Sequence, residues 1–182
     1  MTTSTYYTLD RGSFFSSGQS IELLDPFCPI ETLKVHASEM FSPGVSKHAN
    51  NYFFNYSINL VQSEERFGAI IEMLLEERRR SKYPDKPSRH QSLFACETIK
   101  EVAWFRGSSR FPISTPIFEV YTASTCHKGD MNLLKMNCSP VELSQRIDLY
   151  WRGETQELWP QYAPFWEVLI PLPAVIGEKV QE

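Results

Sequence analysis

The chain lacks the motifs on which most nucleotide and hydrolytic chemistry is built. It has no Gly-x-x-x-x-Gly-Lys-Ser/Thr loop, no Gly-x-Gly-x-x-Gly turn, no Gly-x-Ser-x-Gly elbow and no His-Glu-x-x-His helix. ATP hydrolysis on a P-loop, Rossmann redox chemistry and α/β-hydrolase chemistry therefore lose support. Its four cysteines, Cys28, Cys96, Cys126 and Cys138, form no Cys-x-x-Cys pair and have no histidine at zinc spacing. Free, mostly buried thiols, no metal site and a reducing cytoplasm are the expectation. The opening Met1-Thr2-Thr3-Ser4-Thr5 is not a charged-then-apolar leader, and no run approaches the roughly 20 apolar residues that span a bilayer, so no membrane partner is expected. A formal charge of −4 gives no general attraction for nucleic acid, which makes that partner an unfavoured one.

What is present suits one globular domain over residues 1–182, with 42% hydrophobic residues available for a core. Thr5 to Leu9 reads as a strand followed by a turn at Asp10-Arg11-Gly12, and Gly18 to Leu23 as a second extended piece. Asp25 to Asn51 holds Pro26, Pro29, Pro43 and Gly44 with little periodicity and reads as irregular connection. A helix begins after Ser63, with an apolar stripe of Phe67, Ile70, Ile71, Leu74 and Leu75, and ends at Tyr83-Pro84. Its basic end, Arg78 to Lys82, reads as a solvated helix terminus. Capping signals at Thr98/Glu101 and Ser139/Glu142 start two more helices, the second ending at Gly153. Ser92 to Ala95, Ile117 to Tyr121 and Trp166 to Pro171 read as strands.

Two features carry the candidate chemistry. The first is Lys86-Pro87-Ser88-Arg89-His90-Gln91-Ser92, a polar loop that delivers an arginine and hydroxyls to a strand edge, as sites for anionic ligands do. The second is Glu167, a carboxylate inside the apolar run Trp166 to Ile170. Such a carboxylate costs several kcal/mol unless it faces water or has partners, and strand alternation alone allows the solvent-facing answer. Cys96 lies near His90 in sequence, but a buried strand end explains it better than a Cys/His nucleophile. Asp130 beside Gly129 reads as structural turn chemistry. Trp151, Trp159 and Trp166 are assigned to the C-terminal part of the core.

The run Tyr83 to Phe94, with its Lys-Pro-Ser-Arg-x-x-Ser-Leu-Phe pattern, resembles the signature of a family of small bacterial and phage proteins similar to ADP-ribosyltransferases. Tyr6-Tyr7, Arg11, Gly18, Asp130-Met131-Asn132, Tyr150-Trp151-x-Gly153 and Glu167-Val168-Leu169-Ile170 extend the resemblance over nearly the whole chain. It implies an α+β fold with a split mixed β-core and flanking helices, holding NAD in a central cleft, and a protein as acceptor of ADP-ribose. Ser92 and Glu167 match the second and third motif positions and are the implied catalytic pair. Tyr6, Tyr7, Thr8, Arg11, Ser88, Arg89 and Phe94 are the implied NAD contacts. Thr8 departs from the pattern, standing where such relatives often carry His, and Arg11 is the implied substitute. In that chemistry Glu167 stabilises the oxocarbenium-like ribose. NAD hydrolysis, or a non-catalytic inhibitor on the same fold, are the alternatives.

Overall fold

A computed structural model describes residues 3–53, 64–109 and 111–181. Within them lie seven strands: β1 (Ser4–Leu9), β2 (Ser20–Ile21), β3 (Ser92–Ala95), β4 (Ile117–Thr122), β5 (His127–Asp130), β6 (Trp166–Pro171) and β7 (Ala174–Lys179). The helices are α1 (Glu31–Met40), α2 (Lys47–Phe53), α3 (Glu64–Lys82), α4 (Ile99–Ser108) and α5 (Pro140–Arg152). The fold is α+β, with two sheets of order β1-β4-β7-β2 and β3-β6-β5. Every pairing is antiparallel, where the resemblance implied a mixed core.

Besides packing face to face, the two sheets share one backbone bridge among the described residues. Tyr7 and Cys96 form a single bridge, with Tyr7 N donating to Cys96 O at 2.9 Å and Cys96 N to Tyr7 O at 2.8 Å. Beside it the Phe94 carbonyl accepts from Thr8 Oγ1 at 2.7 Å. A side chain thus takes the place that backbone would hold in a continuing ladder, and the sheet splits there.

β6 is the central strand of the smaller sheet, and its alternation divides the core. Val168 and Ile170 pack with Phe118, Val120 and Ile176 of the larger sheet, while Leu169 packs against Ile71 and Leu75 of α3 and Ile147, Tyr150 and Trp151 of α5. A third cluster, containing Leu9, Val102 and Phe165, lies beneath α4.

Both capping signals are realised. Thr98 and Glu101 form a reciprocal capping box, and Ser139 Oγ accepts from Glu142 N at 3.3 Å. Gly153 ends α5 in the left-handed region at φ 71°, which glycine enters without strain.

Four expectations need correction. The stretch Asp25 to Asn51 holds α1 and most of α2. α1 is hard to read because Ile30 supplies no side-chain cap and only Ala37 is buried, so neither a start signal nor an apolar stripe marks it. Strand β5 and strand β7 carry too much polar or small character to stand out, and Lys128-Gly129 lies in strand rather than turn. The inner face of α3 holds Ile71 and Leu75 together with Glu72 and Glu76, while Ile70 and Leu74 are exposed. Ser63 and the Phe67 side chain lie outside the described residues. Finally, the basic end of α3 is engaged: Arg79 and Arg80 hold Glu76, and Arg78 and Lys82 hold Asp148 of α5, fastening the two helices together.

Candidate functional site

The polar loop folds into a device that turns Arg89 inward. Ser88 caps a 3-10 turn over Arg89–Gln91, its Oγ accepting from His90 N at 3.2 Å and donating to Glu76 Oε2 at 2.9 Å. Ser92 Oγ donates to the Ser88 carbonyl at 2.7 Å and closes the other side. With a serine locked at each end, the turn points Arg89 into the core, where it is 4% exposed.

There Arg89 holds two carboxylates and a phenol. Its Nε and Nη2 donate to the two oxygens of Glu72, each at 2.7 Å. Its Nη1 donates to Tyr150 Oη at 2.5 Å and to Glu167 Oε1, and Tyr150 Oη donates to the same Glu167 oxygen at 2.8 Å. Phe94 covers the guanidinium face with its ring centroid 4.7 Å from Cζ, and the His48 ring meets Phe94 edge-on at 4.6 Å. Glu167 is 3% exposed, so the solvent-facing reading of this residue is overturned: its side of β6 is covered by α3 and α5.

The electrostatics follow from burial and pairing. Burial alone would raise the Glu72 carboxyl, but Arg89 and His48 beside it hold it well below the usual range. Burial likewise opposes the charge on Glu76, and the Arg79 and Arg80 guanidiniums outweigh it, bringing that carboxyl down to about 2. Burial disfavours the Arg89 cation, yet Glu167 and Glu72 raise its pKa further. Burial, with Glu167 adding to it, raises the Tyr150 phenol well above its normal value despite Arg89, so it remains a donor. Arg89 is thus shared by two carboxylates, Glu72 and Glu167, and the His48 ring lies on the Glu72 side with Nε2 3.9 Å from Oε1.

Tyr150 reaches Glu167 because of Gly129. This glycine pairs with Glu167 across the β5–β6 ladder, and a Cβ there would lie 2.3 Å from the Tyr150 ring. The bare backbone is what lets the ring lie flat enough for its hydroxyl to meet the carboxylate.

The sequence-expected residues thus fall into two groups. Ser88, Arg89, Ser92, Phe94 and Glu167 converge on one buried cluster. Tyr6 packs on the other face of the smaller sheet, Tyr7 belongs with the core beneath α4, and Thr8 bonds the Phe94 carbonyl. Arg11 lies in the exposed turn after β1, its guanidinium 6.0 Å from the Phe111 ring centroid, on the α4 side of the molecule. Cys96 is buried, and burial pushes its thiol up to about 12, which leaves it a poor nucleophile. Trp151 is fully buried as expected, whereas Trp159 is 37% exposed. Among the described residues no group of three His, Cys, Asp or Glu side chains could hold a metal ion, and no helix is long and apolar enough to cross a membrane.

Sequence reasoning missed Glu72, Glu76 and Tyr150 as members of the cluster. The signal was present in part: Glu72 and Glu76 follow Ile71 and Leu75 at a four-residue spacing, so each carboxylate borders the apolar stripe and can turn inward with it.

Geometry defines the class: a small α+β domain of two antiparallel sheets joined at one bridge, enclosing a carboxylate, guanidinium and phenol cluster at the centre of the smaller sheet. The chain belongs to the DUF2441 family, described as a protein of unknown function, whose model matches residues 6–182. No curated protein matches the chain.

Proposed function

We propose that the protein is an ADP-ribosyltransferase-like domain that takes NAD as substrate and transfers ADP-ribose to a macromolecular acceptor, a protein. The observation that carries this reading is Glu167, a buried carboxylate whose one guanidinium partner, Arg89, is shared with Glu72. A carboxylate placed beside a developing cation stabilises it, and cleavage of the nicotinamide to ribose bond develops positive charge on the ribose. Glu167 would stabilise that charge or hold a ribose hydroxyl beneath it, with Arg89 and Tyr150 fixing the carboxylate. Arg89, Ser88 and Ser92 are of the types that pair with phosphate and ribose, but each now donates within the cluster, so NAD would have to take them from Glu72, Glu76 and the Ser88 carbonyl. Since Glu167, Arg89 and Ser92 are each 4% exposed or less, catalysis requires the α3 side, which carries Glu72, to open.

That same burial favours a second reading, a binding protein on this fold with no reaction. Thr8 at the first motif position, its hydroxyl engaged by Phe94, points the same way.

The deciding experiment is incubation with NAD labelled on the adenylate, with and without host lysate, following released nicotinamide and label on macromolecules. A labelled band that disappears with Glu167→Gln is the expected result. Nicotinamide release without a band makes the protein an NAD hydrolase, and neither release nor NAD binding leaves the non-catalytic reading.

A further inference from the structure

The smaller sheet ends in an open cleft at the edge of the buried cluster, whose Ser88 and Ser92 also line it. It has a volume of about 360 Å³ and lies where β3 begins and β6 ends, beside Ser92 and Pro171. Ser92 and Pro171 are register partners, and Glu167 is four residues back along β6, roughly 13 Å at about 3.3 Å per residue. The cleft therefore lies apart from Glu167 while sharing Ser88 and Ser92 with the cluster.

Its walls are fixed by side chains bonded to backbone. Arg79 Nη1 donates to the Pro84 carbonyl at 3.3 Å and the Lys86 carbonyl at 3.1 Å, which holds the loop before Pro87. On the facing wall, the Gln91 amide donates to the carbonyls of Phe41, Ser42 and Gly44 at 3.2, 3.2 and 2.9 Å, which holds the loop containing Pro43. Leu172 N donates to Gln91 O at 3.1 Å and closes the floor. Such bonds hold the walls in place before any ligand arrives, so little ordering is left to be done on binding.

The lining has two characters. Pro43, Pro87, Pro171 and Leu172 present flat or compact apolar surface. Opposite in chemistry, Lys86 forms no ion pair among the described residues, while Arg79, though bonded to Glu76, also lines the cleft. Asp85 is the one acidic residue of the lining and Glu76 matches the Arg79 charge, so the cation the cleft offers a ligand is Lys86. A lysine at a concave wall attracts anions, and the volume falls in the range of small-molecule sites.

We infer that this cleft binds a small ligand with a planar body and an anionic group, of the size of a nucleoside monophosphate. The planar part rests on the prolines and Leu172, and Lys86 meets the phosphate. This inference shares Ser88 and Ser92 with the site proposed for NAD but does not rest on the reaction at Glu167.

The test is amide chemical-shift mapping of the whole chain titrated with AMP, adenosine and inorganic phosphate in turn. AMP is expected to shift Lys86, Gln91 and Leu172, with adenosine binding at least tenfold more weakly, since it lacks the anion. Lys86→Glu, at a partly exposed position where the fold is not at risk, should weaken AMP at least tenfold. The inference is overturned by AMP giving no shifts at about 5 mM, the weak end of measurable affinity. It is equally overturned by adenosine matching AMP, or by Lys86→Glu binding AMP as well as the parent.

Discussion

Asp130 and Glu167 are buried carboxylates on neighbouring strands, one register step apart, and they are solvated in opposite ways. Asp130 is fully buried and accepts four bonds from neutral donors: Asn132 N at 3.0 Å, Phe165 N at 2.9 Å, Thr155 Oγ1 and Tyr162 Oη. Each donor comes from a nearby loop, so the carboxylate acts as a fastener of the chain leading into β6. Glu167 has Tyr150 and one guanidinium, and that guanidinium is shared with Glu72. A carboxylate saturated by neutral donors can only hold structure; one that shares its cation with a rival can be released when the rival takes it.

Removing the shared cation should break this contrast most. Arg89→Met leaves Glu72 and Glu167 buried without a partner and should cost about 4 kcal/mol, read as a fall in the denaturant midpoint at unchanged slope. Adding Glu72→Gln and Glu167→Gln to Arg89→Met should recover most of that loss, because the cost comes from unpaired charge. If the triple variant is no more stable than Arg89→Met alone, the cluster is held by shape and the charge argument fails.

Acid should separate the two carboxylates next, because the buried histidines lie on the Glu167 side. His90, its Nδ1 3.8 Å from Glu76, and His127, whose Nε2 donates to the Tyr150 carbonyl at 3.0 Å, are each brought down by burial to about 4. A histidine lowered on folding takes up protons first in the unfolded chain, so stability is complete above about pH 6.5 and falls toward pH 4. Each histidine should cost about 2 kcal/mol by pH 5, before the lowered carboxylates of Glu72 and Glu76 begin to contribute below about pH 4.5. His127→Gln, which keeps a donor for the Tyr150 carbonyl, should flatten the upper part of the curve; an unchanged slope between pH 6.5 and 5 would remove His127 from this account.

Asp130→Asn gives a smaller loss. The amide oxygen keeps the Asn132 and Phe165 N–H groups and the NH2 meets the Thr155 and Tyr162 hydroxyls, which can turn to accept, so exchanging a charged for a neutral partner should cost about 2 kcal/mol. Urea melts at pH 7 check it, a lower midpoint at unchanged slope being the expected result.

How far these elements could be read from sequence depends on whether their signals were local. The helix starts at Thr98 and Ser139 and the stop at Gly153 rest on side chains bonding their own backbone within a few residues, so sequence carries them directly. The Lys86 to Ser92 loop and Glu167 could be singled out because each breaks the polarity of its surroundings. Their meeting could not be read: it depends on α3 turning Glu72 inward and on Tyr150 lying over Gly129, contacts between segments 17 to 78 positions apart. α1 was missed for the opposite reason, having neither a cap nor a buried stripe. Nothing near Thr8 in the sequence announces that its hydroxyl will bond Phe94, 86 positions on, and hold the two sheets at their split.

Gly129→Ala asks whether Tyr150 is the part of the Glu167 system that geometry makes indispensable. The added methyl would sit 2.3 Å from the Tyr150 ring, so the ring has to move, at about 2 kcal/mol for an overpacked core. Asp130 is the next residue on β5 but faces the other side of the sheet, and its four donors should remain in place. Movement of the ring takes the phenol from both Glu167 and Arg89 Nη1 while the Arg89 to Glu167 bond remains. Side-chain shifts for Tyr150 and Arg89, with the Tyr162 ring as the reference on the Asp130 side, read the two regions separately. The expected pattern is large changes at Tyr150 and Arg89 with Tyr162 still. Equal changes at Tyr162 would mean that the two carboxylates share one rigid unit and that the contrast between them is not functional.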